Sequence, residues 1–395
     1  MPPALFIAAY FIAIASAAIA LAALLRAAPT PGGERVAAII AGATIAIILG
    51  PSVAPRTAPA LQQVFTPTTP QARALADFNS STQRERAALN AAGVSQAAIE
   101  EHQQAAEQHR ISLAAAAINA QAQHTQTLLA APAAAALILI LAATPTLLPR
   151  TRTARARLIK APTLLAAIPI TLAHIAVATT AAILANLAFN LTIPQSLAIA
   201  AVFAAPTVNA ALRPNVLLAA LLTTIILAAA ILIAAPRTSP LLIPAIIAFT
   251  LPLLLPLSSR NAARIARSII NTVLLPALTA LLLCTIDLHA LHLSLPQLIT
   301  AATLALIVSS DARWFTAWLA LRATKARSPA TTASTTLDNA TPLTQLAVCA
   351  LLAAPLFIPP AIILAAAAGA LTIEASKPIR STLSALLDNK SHPGS

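Results

Sequence analysis

Of 395 residues, 58% are hydrophobic and 9% charged, and the mean hydropathy is +0.83. That balance lies outside the soluble globular class and makes lipid the solvent for most of the chain. The formal charge of +13 sits in short basic clusters between apolar runs, which argues against a nucleic-acid interface and fits the positive-inside rule of membrane proteins.

A membrane-crossing helix needs roughly 20 apolar residues. In chain order, the first run, Pro3 to Arg26, is too long for the apolar stretch of a signal peptide and reads as a retained helix. The second, Arg35 to Gly50, stops on Gly50-Pro51-Ser52, a break tolerated in lipid only where protein or a water cavity covers the backbone. Ser52 to Gln126 then reads as a polar helical hairpin that turns at Ala92-Gly93-Val94-Ser95, with Ser95 capping the second helix. His102, His109 and His124 within it either bind a metal or belong to a solvated face; no third ligand at zinc spacing accompanies the first pair.

Nine further spans are expected. They are Thr127 to Leu148, Thr163 to Phe189, Pro194 to Leu212, Val216 to Ala235 and Ser239 to Leu257, then Ser268 to Ile286, Leu295 to about Phe315, Pro342 to Leu356 and Pro360 to Ser376. The last two divide at Pro359-Pro360, because the second proline denies the first a helical conformation. With an outside N-terminus, Arg26 and Arg35, Arg150 to Lys160, Arg213, Arg260 to Arg267, Arg322 to Arg327, and Lys377 with Arg380 all fall inside. The expected fold is therefore an all-α polytopic membrane bundle of eleven spans with an external helical hairpin. Its divisions are 1–51 (two spans), 52–126 (the polar insertion), 127–380 (the remaining bundle) and 381–395 (an internal tail). Cys284 and Cys349, inside apolar runs, read as buried thiols. Asn186, Asn209 and Asn271 read as hydrogen-bonders between helices.

Several stretches, in order, resemble the monovalent cation:proton antiporter-2 family. GERVAAIIAGATIAIILGPSVAPRTAPALQQVFTP, Gly33 to Pro67, is similar to that family's second helix, matching at Arg35-Val36, Ala41-Gly42 and Gly50-Pro51-Ser52 but lacking its Glu. SLAIAAVFAAPTVNAAL, Ser196 to Leu212, resembles the broken helix with an A-T-[DS] centre, which puts Thr207 at the family Thr and Asn209 beside it. NVLLAALLTTIILAAAIL resembles the helix that holds an acidic pair in active exchangers; Thr223 and Thr224 stand in that place. LALIVSSDARWFTAWLALR resembles the later helix that would put Arg313 at the family's basic residue. The resemblance implies inverted repeats with broken helices, a homodimer in the inner membrane, no cofactor, and exchange of K+ or Na+ for protons. No nucleotide, haem or zinc motif appears, so an enzyme is not expected.

Proton-coupled exchange needs a group that holds either a proton or a cation. In one reading Asp311 supplies the titrating carboxylate and Arg313 the competing positive charge. In the other the helix tilts, both snorkel inward, and Trp314 and Trp318 mark the interface. Thr207, Asn209, Thr223 and Thr224 are candidate cation ligands through neutral oxygens, the alternative for the threonines being a bond back to their own helix. His174 reads as a core histidine or as a proton relay. Two rivals stand beside exchange: a degenerate homologue serving as a membrane scaffold, and a transporter of another neutral or anionic solute.

Overall fold

The computed structural model describes residues 3–27, 33–58, 61–65, 70–92, 96–147, 161–204, 214–234, 260–323 and 328–390. Its helices run in the order α1 Pro3–Ala27, α2 Gly33–Leu49, α3 Ala54–Thr57, α4 Gln62–Phe65, α5 Pro70–Ala91 and α6 Gln96–Leu147. There follow α7 Ala161–Phe189, α8 Ile193–Ala204, α9 Pro214–Ala234, α10 Arg260–Ile269, α11 Leu275–Leu283 and α12 Leu295–Thr303. The chain closes with α13 Arg313–Ala323, α14 Pro329–Leu356, α15 Pro360–Ala375 and α16 Lys377–Lys390. Two π-helical segments, Ile270–Leu274 and Leu304–Ala312, join α10 to α11 and α12 to α13. No strand occurs among the described residues.

Among the described residues, six helices are long and apolar enough to cross a membrane, and a seventh counts if α15 and α16, bent by 55°, form one broken span. The chain is thus a helical membrane protein. Six is fewer than the eleven spans expected, for reasons visible along the chain. Ser239 to Leu257 and the end of the Pro194 to Leu212 span lie outside the described residues, as do Ser95 and Pro206. Ile193–Phe203, Leu222–Ala234 and Pro342–Ala353 are apolar but short. Helix boundaries shift as well: Pro342 lies inside α14, which starts at Pro329, and the helix expected to stop near Phe315 continues to Ala323. Hydropathy marks only the apolar part of a helix, whereas backbone bonding carries both of these into polar sequence.

The chain divides into two compact units, one of residues Met1–Val53 with Leu129–Ser395, the other Ala54–Leu128. In the first, alanines fill the crossing points between helices and the larger Leu, Ile and Phe side chains interdigitate around them. Small residues let backbones approach in a setting where packing, not water, drives association. One close approach is between α2 and α11. A Cβ on Gly42 would lie 2.7 Å from both the Pro276 carbonyl oxygen and the Thr279 Cβ. The two helices run parallel and in register: Arg35 Nε donates to Asn271 Oδ1 at 3.2 Å, and the Leu288 N–H donates to Ser52 Oγ at 2.9 Å, each pair 236 residues apart.

That second contact accounts for the Gly50-Pro51-Ser52 ending of α2. The helix stops at Leu49, and residues 50–53 form a turn closed by the Val53 N–H on the Gly50 carbonyl at 3.3 Å. Pro51 has no N–H to leave unbonded. Ser52 is buried, and its hydroxyl oxygen accepts a backbone donor from the loop after α11. At the α14–α15 elbow, Pro359 takes φ −55° and ψ 137°, the extended conformation that Pro360 enforces. The elbow is closed by Phe357 in the left-handed region, φ 50°, whose carbonyl accepts from Gln195 Nε2 at 3.2 Å. Cys284 and Cys349 are buried thiols. Asn271 bonds between helices, whereas Asn186 is exposed and accepts the nearby Leu191 N–H at 3.0 Å.

In the second unit, α5 and the first part of α6 flank the expected turn. Phe78 meets His109 edge to face at 4.8 Å, and a ring nitrogen of His124 lies 2.7 Å from the Val64 carbonyl oxygen. Arg110 donates twice to Glu107, at 2.7 and 2.6 Å. That bond holds the Glu107 carboxyl below the usual glutamate range, so its support of the helix is present above that range and is lost as pH falls through the lowered value.

The α2–α11 contact yields a test. Gly42→Ala inserts a methyl group against backbone, and overpacking of this kind costs about 1–3 kcal/mol. Thermal unfolding in detergent is expected to show a lower midpoint for this variant than for the parent protein, because the added methyl group meets the Pro276 carbonyl oxygen and the Thr279 Cβ; an unchanged midpoint contradicts the close crossing.

Candidate functional site

Leu295–Ala323 forms one continuous 29-residue helical span through α12, the π segment and α13. Ser309 lies at its centre, inside the π segment. There its hydroxyl donates to the Leu304 carbonyl at 2.8 Å, five residues back, which is the π-helical spacing. π segments of this kind within α-helices accompany functional sites.

Gln345 of α14 reaches the same point. Its Nε2 donates to Ser309 Oγ at 3.1 Å and to the Ala366 carbonyl of α15 at 2.9 Å, while its Oε1 accepts from Arg313 Nη1 at 3.2 Å. One amide therefore joins the π-bearing span, α14 and α15, with its donor and acceptor ends both used. Gly369 of α15 makes room for it: a Cβ there would lie 2.3 Å from Ser309 Oγ and 2.7 Å from Gln345 Nε2. Ser309, Arg313 and Gln345 are all buried. A guanidinium at this depth is costly unless it is hydrogen-bonded and enclosed by protein.

Further along the same face of α13, Ala317, Ala320 and Leu321 pack with Ala167 and Ile170 of α7, Ala219 of α9 and Ala333 of α14, with Trp314 and Trp318 against them. One turn along α7 and α9 from these residues stand His174 and Thr223, both buried near the middle of their helices. Thr223 Oγ1 donates to the Ala219 carbonyl at 2.8 Å and lies 3.5 Å from His174 Nδ1.

The residues singled out from sequence are dispersed. Arg313 is buried in the amide network, but Asp311, two positions before it, is exposed and accepts from the neighbouring Ser310 Oγ at 3.3 Å. On a helix, positions two apart point in different directions. Thr223 is buried and bonded to its own helix, and Thr224 is half-buried beside it. Thr207 and Asn209 lie outside the described residues. Sequence reasoning passed over Ser309, Gln345 and Gly369. The available signal was an amide in the apolar run PLTQLAVCALLAAP, since a polar side chain inside a span is a site hypothesis by default.

A second, partly buried network lies at one end of the same unit. Arg35 Nη1 and Glu374 Oε1 are 2.9 Å apart, Arg35 also bonds Asn271, and Arg26 donates to the Asn271 backbone carbonyl. The Glu374 side chain is buried. No group of histidine, cysteine and carboxylate side chains able to hold a metal ion occurs among them. Compared with family models, curated proteins and solved structures, the chain finds no match.

The amide network separates two substitutions that look equally mild in sequence. Gln345→Met removes an acceptor from a buried guanidinium and is expected to cost about 1–3 kcal/mol. Asp311→Asn at the surface should stay within about 0.5 kcal/mol of the parent. Denaturant melts of the two variants in the same detergent measure the difference, and a reversed order contradicts the network.

Proposed function

We propose that the protein is a secondary transporter whose solute path passes the Arg313–Gln345–Ser309 site. The observation that carries this reading is a buried guanidinium at mid-span, beside a π-helical distortion and enclosed by protein on three helices. Ionisable groups at such depth mark substrate or ion pathways, and distorted helices line them. The stretches that resemble the cation:proton antiporter-2 family supply the chemistry: exchange of a monovalent cation, K+ or Na+, for protons across the inner membrane. In that reading Thr207, Asn209, Thr223 and Thr224 offer neutral oxygens to the cation and Arg313 is the competing positive charge. The family's inverted repeats and homodimer belong to the same proposal. So does the sidedness, with the Arg26–Arg35–Glu374 end facing the cytoplasm because Arg264, Arg267 and Lys377 lie close to it in sequence.

One observation favours a second reading. The mid-span set is rich in donors, and Asp311 lies on the surface, so a small anionic or neutral solute with acceptor oxygens also suits the site.

Purified protein in liposomes loaded with a pH-sensitive dye decides between them. Exchange predicts that external K+ or Na+ drives proton movement, and that Arg313→Ala reduces it about a hundredfold by disordering the site. Proton movement driven by anions instead supports the second reading. No ion-driven movement in the parent protein overturns cation exchange and anion transport alike.

A further inference from the structure

Exchange requires that proton and cation exclude one another from a shared site. The carboxylate proposed from sequence for that task, Asp311, is exposed, and the buried Glu374 is held by Arg35 at the end of the bundle. Another titratable group does lie at the right depth. His174 is buried at the middle of α7, with Thr223 across from it on α9 and Arg313 on the face of α13 that packs against α7.

We propose that His174 is the proton-carrying group of this transporter, its imidazolium and the transported cation excluding one another beside Arg313. The proposal rests on the exchange reading above. The local bonding suits the task. The single Thr223 hydroxyl proton is committed to the Ala219 carbonyl, so its oxygen faces Nδ1 as a lone pair and accepts an N–H when that nitrogen is protonated. The neutral ring with its proton on the other nitrogen presents Nδ1 as a lone pair, and Nδ1 and Thr223 Oγ1 then line the gap together as acceptors for a cation.

The surroundings leave few other charges to take this part. The described elements packed against α7 are α8, α9, α12, the π segment and α13, together with α14, whose Ala333 shares a core cluster with Ala167 and Ile170 and which carries Asp338. Of these, α8, α9 and α12 contain no titratable side chain, the π segment contributes the exposed Asp311, and α13 contributes Arg313 and the exposed Arg322. A proton on His174 therefore adds a second positive charge next to Arg313, and a dehydrated cation adds a third. In a low-dielectric interior such charges repel strongly at close range, and one of the two mobile ones leaves. That mutual exclusion is the whole requirement of exchange.

The test uses the full-length protein in liposomes, with two readouts: cation-driven proton flux from an entrapped dye, and 86Rb+ or 22Na+ self-exchange at zero proton gradient measured across pH. The expected result is that His174→Gln lowers proton flux by about a hundredfold. Parent self-exchange should fall on acidification, and self-exchange in His174→Gln should no longer vary with pH. Thr223→Val, which removes the oxygen facing Nδ1, should move the acid step of self-exchange along the pH axis. If His174→Gln keeps proton flux within a factor of about two, or parent self-exchange is flat across pH, the assignment is overturned while exchange stands. If the parent shows no cation-dependent flux of either kind, the exchange reading fails and the assignment falls with it. The pH profile of the parent is decisive even if His174→Gln does not fold.

Discussion

The Gln345 side chain holds the centre of the first unit together because it satisfies three polar partners in a place where none of them has water. Its carbonyl oxygen accepts from Arg313, and its amino group donates to Ser309 and to the backbone of Ala366. In an apolar interior an unmade bond costs the full desolvation of each group, whereas a completed set fixes one arrangement of the helices that carry it. The π distortion at Ser309, the glycine at position 369 and the inward direction of Arg313 all answer to that amide. A methyl group at 369 would collide with both Ser309 and Gln345, so the α15 backbone is as much a part of the site as the side chains.

The helical class and the membrane setting were legible in the chain because composition and apolar run length act residue by residue. The ending of α2 was legible too, since proline and glycine act on the backbone locally. What Ser52 does there was not, because its partner, Leu288, lies 236 residues away. Asp311 and Arg313 show the same divide. Sequence spacing establishes that they point in different directions, but only the packing of α7, α14 and α15 around the span decides which one turns inward. Helix boundaries were less legible, because apolar and helical stretches differ in extent: α14 begins thirteen residues before the proline from which its apolar run was counted.

Charge is distributed by depth. The second network, where Arg26 and Arg35 converge on Asn271 and Arg35 on Glu374, joins α1, α2, the π segment after α10, and α15 at one end of the unit. Two distinct π segments thus each receive an arginine-linked contact, one at Asn271 and one at Ser310. π-helical turns free backbone groups and reset the direction of the side chains that follow. Both are stitched to α15, the first through Glu374 and the second through Gln345 at Ala366.

The role of α16 follows from its two ends. Near its start, Arg380 donates to Ser310 of the π segment and to the Ile373 carbonyl. Near its finish, Asp388 accepts the Ala330 and Thr331 N–H groups at the head of α14, at 3.1 and 2.9 Å. A rigid element pinned at both ends behaves as a tie-rod. It fixes the separation between the mouth of α14 and the distorted middle of the neighbouring span, so neither can travel without the other. Any rocking motion in this unit must carry those two helices as a single moving part, and the freedom to move is left to the elements outside that truss.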